Sequence, residues 1–138
     1  MKICTFFGHK NSPDAIYDRL KTTIIDLIEK QNIKTFLVGN NGLFDVLVQR
    51  ALKEISKKYE IKYNVVLAYL PKDANIPENS ILPDGFENFP PRFAIDRRNE
   101  YMLNKSDYII CYVTHYLGGS GKFVEMAVKK NKTVINLA

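Results

Sequence analysis

Two stretches of this chain hold residues whose types and spacing suit chemistry on an anion. The first is Gly118-Gly119-Ser120-Gly121-Lys122, with Glu125 a turn further on. It follows an apolar, strand-forming run from Tyr108 to Val113 and leads into helical spacing at Phe123, Met126, Ala127 and Lys130. Glycines between strand and helix let the backbone approach a ligand closely. The first helix amides lack internal partners and point at whatever lies ahead of them, which suits a phosphate. Tight packing is the other use of such a turn. The spacing is neither a Walker loop nor Gly-x-Gly-x-x-Gly. The second stretch is Asp96-Arg97-Arg98-Asn99-Glu100-Tyr101-Met102. Adjacent helix positions point about 100° apart, so one arginine at most faces a given cleft. Arg98 shares a face with Met102 and is the better placed to clamp a phosphate or carboxylate. Arg97 then reads as a surface charge or a second cation near the ligand.

Other candidates carry two readings each. Glu125 is a solvated carboxylate in a first helical turn, or a base or ribose-hydroxyl acceptor beside the glycines. His9 ends the first strand as a loop hydrogen-bonder or a ligand contact, and His115 has the same options. Asn40, Asn41 and Asp45 serve turn geometry and helix capping, or contact the ligand. Tyr69 is rim packing or a platform for a base. Lys122 is an exposed lysine, or a positive charge in front of a phosphate.

These residues need elements to position them. Lys2 to Phe7 reads as a strand. Ser12-Pro13 reads as a helix start, opening a helix to about Gln31 with Ile16, Leu20, Ile24, Leu27 and Ile28 inward. Lys34 to Val38 is a second strand. Gly39-Asn40-Asn41-Gly42 turns into a helix from Leu43 to about Tyr59, and Tyr63 to Leu70 is a third strand. Pro71 to Arg92 holds five of the six prolines and reads as a long loop, a lid or mobile segment. Phe93 to Lys105 is helical, and Thr133 to Leu137 is a last strand. Strands alternating with helices predict an α/β fold, a doubly wound parallel sheet of about five strands in the order 3-2-1-4-5. Ligands bind such sheets beyond the carboxyl ends of the strands. The loops bearing Gly8, Gly39 and Gly118–Gly121 all follow strands, and so converge on one edge.

The 138 residues suit one domain, and an apolar content of 46% supports a real core. No apolar run is long enough to span a membrane and no signal peptide opens the chain, so the expected location is cytoplasmic. Cys4 and Cys111 fall in strands and read as buried thiols; no metal-ligand spacing and no cofactor motif occurs. A net charge of +5 and a pI of about 9.1 favour anionic ligands. The lysines are scattered over helices, so nucleic acid ranks lowest among the partners.

Leu117-Gly118-Gly119-Ser120-Gly121-Lys122-Phe123-Val124-Glu125 resembles the Pro-Gly-Gly-x-Gly-Thr-x-x-Glu motif of the LOG proteins, the lysine-decarboxylase-like phosphoribohydrolases. Leu117 stands for the motif's proline and Lys122 for its threonine. More widely, Phe7-Gly8-His9-Lys10, Gly39 with Asp45, Asp96 to Met102, and Ser106-Asp107 resemble the small SLOG proteins related to YpsA. The resemblance covers nearly all of residues 1–138 outside Pro71 to Arg92. It implies a single Rossmann-like SLOG domain that binds a nucleotide or a nucleotide-derived signal, with a homodimer or larger assembly. The aromatic segment from Phe86 to Phe93 adds to the expectation of a dimer. By resemblance Arg98 and Glu125 match the LOG catalytic arginine and glutamate, while Asn99 replaces a LOG lysine.

Two functions follow. One is a binding or sensing module whose cleft is built from Gly8, His9, Gly39, Asn40, Asn41, Asp45, Tyr69, Arg97, Gly118, Gly119, Ser120, Gly121 and Lys122. The other is an enzyme acting on the N-glycosidic bond of a nucleotide, with Arg98 and Glu125 catalytic. Whether the chain is an enzyme stays open at this point.

Overall fold

The structure, a computed structural model, describes residues 2–70 and 76–138. Its strands are β1 (Ile3–Gly8), β2 (Thr35–Val38), β3 (Lys62–Val66), β4 (Ser80–Ile81), β5 (Tyr108–Tyr112) and β6 (Thr133–Asn136). They form one sheet in the order β4-β3-β2-β1-β5-β6, and every pairing is parallel. The expected order holds, with one strand more. The added β4 is a two-residue edge strand beside Val65 and Val66, inside the proline-rich stretch read as a loop. So short a pairing leaves no alternating pattern to detect. The part of that stretch from Pro71 to Asn75 lies outside the described residues.

The helices are α1 (Tyr17–Gln31), α2 (Leu43–Ile55), α3 (Pro91–Lys105) and α4 (Gly119–Lys129). Strand alternation sorts their partners. Cys4 and Phe6 of β1, Phe36 and Val38 of β2 and Ile110 of β5 face α1 and α2, where Leu20, Ile24, Phe44, Val48 and Leu52 complete one core. Phe7, Leu37, Val66, Ile109 and Cys111 face the other way, against Met102 and Leu103 of α3 and Phe123, Val124 and Ala127 of α4. The result is a sheet covered on both faces, the arrangement parallel sheets require. Cys4 and Cys111 are buried free thiols in these cores, and burial pushes the Cys111 thiol up to about 12.

Several boundaries differ from the expectation. Ser12 does not cap the first helix: its hydroxyl donates to the His9 carbonyl at 2.7 Å, and a 3-10 turn, Asp14–Ile16, precedes α1. Helix α2 stops at Ile55, and a turn carries the chain past Tyr59, whose hydroxyl donates to Glu29 on α1. Strand β3 ends at Val66, before the exposed Tyr69 and Leu70. Helix α4 begins at Gly119, so Gly119 and Gly121 lie inside its first turn. Phe86 is buried within the chain against Phe89 and Tyr101, so it does not call for a partner. Among the described residues no helix is long and apolar enough to cross a membrane.

Gly121 and Gly119 have different reasons to be glycine. A Cβ on Gly121 would lie 2.5 Å from the Tyr116 Cα, a backbone atom that cannot step aside. A Cβ on Gly119 would meet nothing within 4 Å. Gly121→Ala therefore costs about 1–3 kcal/mol, the scale of overpacking. Gly119→Ala leaves stability unchanged or raises it by up to about 1 kcal/mol. Denaturant unfolding of the two variants beside the parent chain checks the contrast.

Candidate functional site

A cleft of about 390 Å³ opens at the carboxyl edge of the sheet. The ends of β1 (Phe6, Phe7, Gly8, His9, Lys10) supply one wall, and Asn41 and Asp45, beyond β2, supply another. Helix α3 contributes Ile95, Asp96, Arg98, Asn99 and Met102, and the start of α4 contributes Leu117 to Ser120. A smaller recess of about 60 Å³ continues past Arg98 between Asn40, Asn41, Ala68, Tyr69 and Ile95.

At the α4 end, Gly118 has φ of 100°, a conformation that favours glycine, and it swings the chain into the helix. The Ser120 hydroxyl donates to the Gly8 carbonyl at 2.7 Å, which fixes the helix start to the end of β1. The amides of Gly119 and Ser120 have no partner among the described residues, and both residues line the cleft. The exposed Lys10 adds a positive charge on the facing wall.

At the α3 end, Arg98 and Asp45 are buried, with 3% and 8% of their surface exposed. The Arg98 guanidinium donates from Nε to Asn99 Oδ1 at 2.9 Å and from Nη1 to Asn40 Oδ1 at 3.3 Å. Asp45 Oδ2 accepts the Asn41 amide at 2.8 Å. Gly39 separates the two groups: a Cβ there would lie 2.7 Å from Arg98 Nη1 and 2.8 Å from Asp45 Oδ2. Burial raises the Asp45 carboxyl above its ordinary value, and the charge of Arg98 works against that rise. Burial likewise lowers Arg98, and Asp45 opposes it. Each charge is tolerated because the other is near.

His9 sits on the rim. The Thr114 amide donates to His9 Nε2 at 3.0 Å, so the ring proton of the neutral form is on Nδ1. The His9 ring stacks on His115 with centroids 4.4 Å apart. This stack ties the segment after β5 to the end of β1, and Asn136 of β6 holds the same segment by two hydrogen bonds to the Val113 backbone.

The structure brings Gly8, His9, Asn41, Asp45, Arg98, Gly118, Gly119 and Ser120 together, with Asn40 and Tyr69 at the adjoining recess. Gly39 lies beneath it. Gly121 is not on its lining and serves packing under Tyr116. Arg97 is exposed and ion-paired to Glu100 at 3.4 Å. Lys122 is not on the lining itself but ion-pairs with Asp96, a lining residue, at 3.2 Å. Glu125 is exposed on α4 and absent from the cleft lining. Lys10, Asp96 and Asn99 line the cleft without having been singled out for it. Their signal was adjacency: each neighbours a chosen residue on a strand end or helix turn.

An α/β domain with a Rossmann-like parallel sheet and a polar cleft at its carboxyl edge is the class that fold and geometry define. No family model matches the sequence, and no curated protein matches it. Among solved structures, the X-ray structure of DNA processing protein A (DprA) from Streptococcus pneumoniae has a similar fold. The TM-score is 0.74 at 15% identity, over 99% of this chain and 50% of that one. The chain thus spans about half the length of DprA.

Two outcomes follow from this geometry. Removing the guanidinium in Arg98→Ala takes a nearby counter-charge from the buried Asp45, leaves the Asn40 and Asn99 oxygens without their donor, and costs about 1–3 kcal/mol, read by denaturant unfolding. Burial and then the charge of His115 hold His9 below the ordinary histidine value. The folded state therefore disfavours the proton. The contribution of His9 to stability is fully present above about pH 6.5 and is lost as pH falls through its lower folded value. An NMR titration of the two imidazoles should give His9 a midpoint below that of free histidine; a midpoint at or above it would contradict the stacked, neutral ring.

Proposed function

We propose that this chain is a SLOG-like module, spanning residues 1–138, that binds a nucleotide or nucleotide-derived signal in the carboxyl-edge cleft. The observation that carries the reading is the pairing of two polar ends within one cavity. Unpartnered amides at the start of α4 suit a phosphate. The buried Arg98 and Asp45 suit the polar remainder of the ligand. Binding without turnover is favoured over N-glycosidic hydrolysis because Glu125, the carboxylate that the LOG-like motif offers as catalyst, is exposed and off the cleft. A general base must come within hydrogen-bond reach of the reacting group.

A second reading keeps a nucleic-acid strand as the partner. The net charge of +5 and the similarity in fold to a DNA processing protein support it. Such binding would weaken steeply with added salt. Self-association into a homodimer belongs to the same proposal. Leu117, Leu70, Val46 and Tyr69, each at least half exposed, stand near the carboxyl edge and support it. Light scattering at micromolar concentration, read against the chain mass of 15.9 kDa, tests it.

Calorimetric titration with a panel of nucleoside 5′-monophosphates, followed by assay for free base, tests the main reading. The expected result is binding without base release. Gly119→Val should abolish binding with the fold intact, since Gly119 lines the cleft, a side chain there keeps the ligand off its backbone, and its Cβ meets nothing within the fold. Glu125→Gln should leave affinity nearly unchanged. Base release that disappears in Glu125→Gln would establish the hydrolase instead. A short single strand that binds where no mononucleotide does would favour the nucleic-acid reading.

A further inference from the structure

The cleft offers more than an anion seat. Among the described residues, the one fully enclosed side-chain polar atom without a partner is Ser106 Oγ. Asp45 Oδ1 and Arg98 Nη2 have no hydrogen-bond partner among the described residues, where Asp45 uses Oδ2 and Arg98 uses Nε and Nη1. Both residues line the cleft, and Arg98 lines the adjoining recess as well. An acceptor and a donor without partners among the described residues thus sit on two residues of one cleft lining, each more than nine-tenths buried. They form no direct ion pair with one another among the described residues.

From this pairing, and resting on the nucleotide reading above, we infer that Asp45 and Arg98 read a ribose hydroxyl, Asp45 Oδ1 accepting its proton while Arg98 Nη2 donates to its oxygen. A hydroxyl is the small group that gives and takes one hydrogen bond at a single atom. A phosphate oxygen gives none and would be repelled by the carboxylate. Phosphate is served at the other end, by the Gly119 and Ser120 amides. An acidic side chain reading a ribose hydroxyl at the carboxyl edge of a parallel sheet is a general solution for such ligands. The sequence offers Glu125 for this task as well, but Glu125 stands on the outer face of α4.

Asp45→Asn is the informative variant because the fold dictates how the amide sits. Its oxygen must accept the Asn41 amide as Oδ2 does now, which turns its NH₂ toward the cleft. Two donors then face one hydroxyl oxygen, and the hydroxyl proton loses its acceptor. The experiment titrates the parent chain and Asp45→Asn with ribose 5-phosphate and 2-deoxyribose 5-phosphate. The four ribonucleoside 5′-monophosphates are then compared with their 2′-deoxy and 3′-deoxy forms. The parent chain should prefer the full ribose over one of the deoxy forms by about tenfold, the loss expected when a buried carboxylate is left unpaired. Asp45→Asn, read at a temperature where its circular dichroism shows it folded, should shrink that ratio several-fold. Equal affinity for ribo and both deoxy forms, or a ratio that Asp45→Asn leaves intact, overturns the inference while the nucleotide reading stands. No binding of any monophosphate overturns both.

Discussion

The cost of burying charge shapes the carboxyl edge of this sheet. Arg98 and Asp45 are both nearly sealed from solvent, and neither would be tolerated there alone. Gly39 has no side chain because any would strike both groups. Asn40 and Asn99 are turned to feed the guanidinium, and the Asn41 amide is spent on the carboxylate. The loop after β2, the start of α2 and the middle of α3 are thereby fixed to one another. Both residues line the cleft.

The second fixed end is the start of α4. It is held by Ser120 on Gly8, by Tyr116 folded over Gly121, and by the His9 contacts to Thr114 and His115. The polar requirements of the two ends are opposite in kind. One has backbone donors without partners among the described residues; the other has a guanidinium and a carboxylate on the same lining. A ligand that satisfies both carries an anionic group and a hydroxyl-bearing body, which is the chemistry of a sugar phosphate. Rigidity on both sides favours binding, because little ordering is left for the ligand to impose.

Much of this was legible in the sequence. Apolar runs bounded by glycine loops gave the strand order and the edge where the loops meet, since parallel β/α alternation leaves few alternatives. Arg98 could be chosen over Arg97 from helical phase alone, and the two are indeed placed inside and outside. Other features depend on tertiary contact that no local pattern encodes. Glu125 follows a ligand-like motif, yet it stands exposed on α4 and off the cleft lining. Gly121 looked like a ligand glycine and is a packing glycine, because Tyr116, close in sequence, folds back over it. Asp45 read as a helix cap or a ligand contact; its burial beside Arg98 depends on a helix that lies far along the chain.

The central claim is that one anionic, hydroxyl-bearing ligand spans from the α4 amides to the Arg98–Asp45 pair. An NMR titration of isotope-labelled protein with a ribonucleoside 5′-monophosphate tests it most directly. The amides of Gly119 and Ser120 and those of Asn41 and Asp45 should shift together along one binding curve. Shifts confined to one end, or gathered instead around the lysines of the opposite sheet edge at Lys53, Lys57 and Lys62, would contradict it.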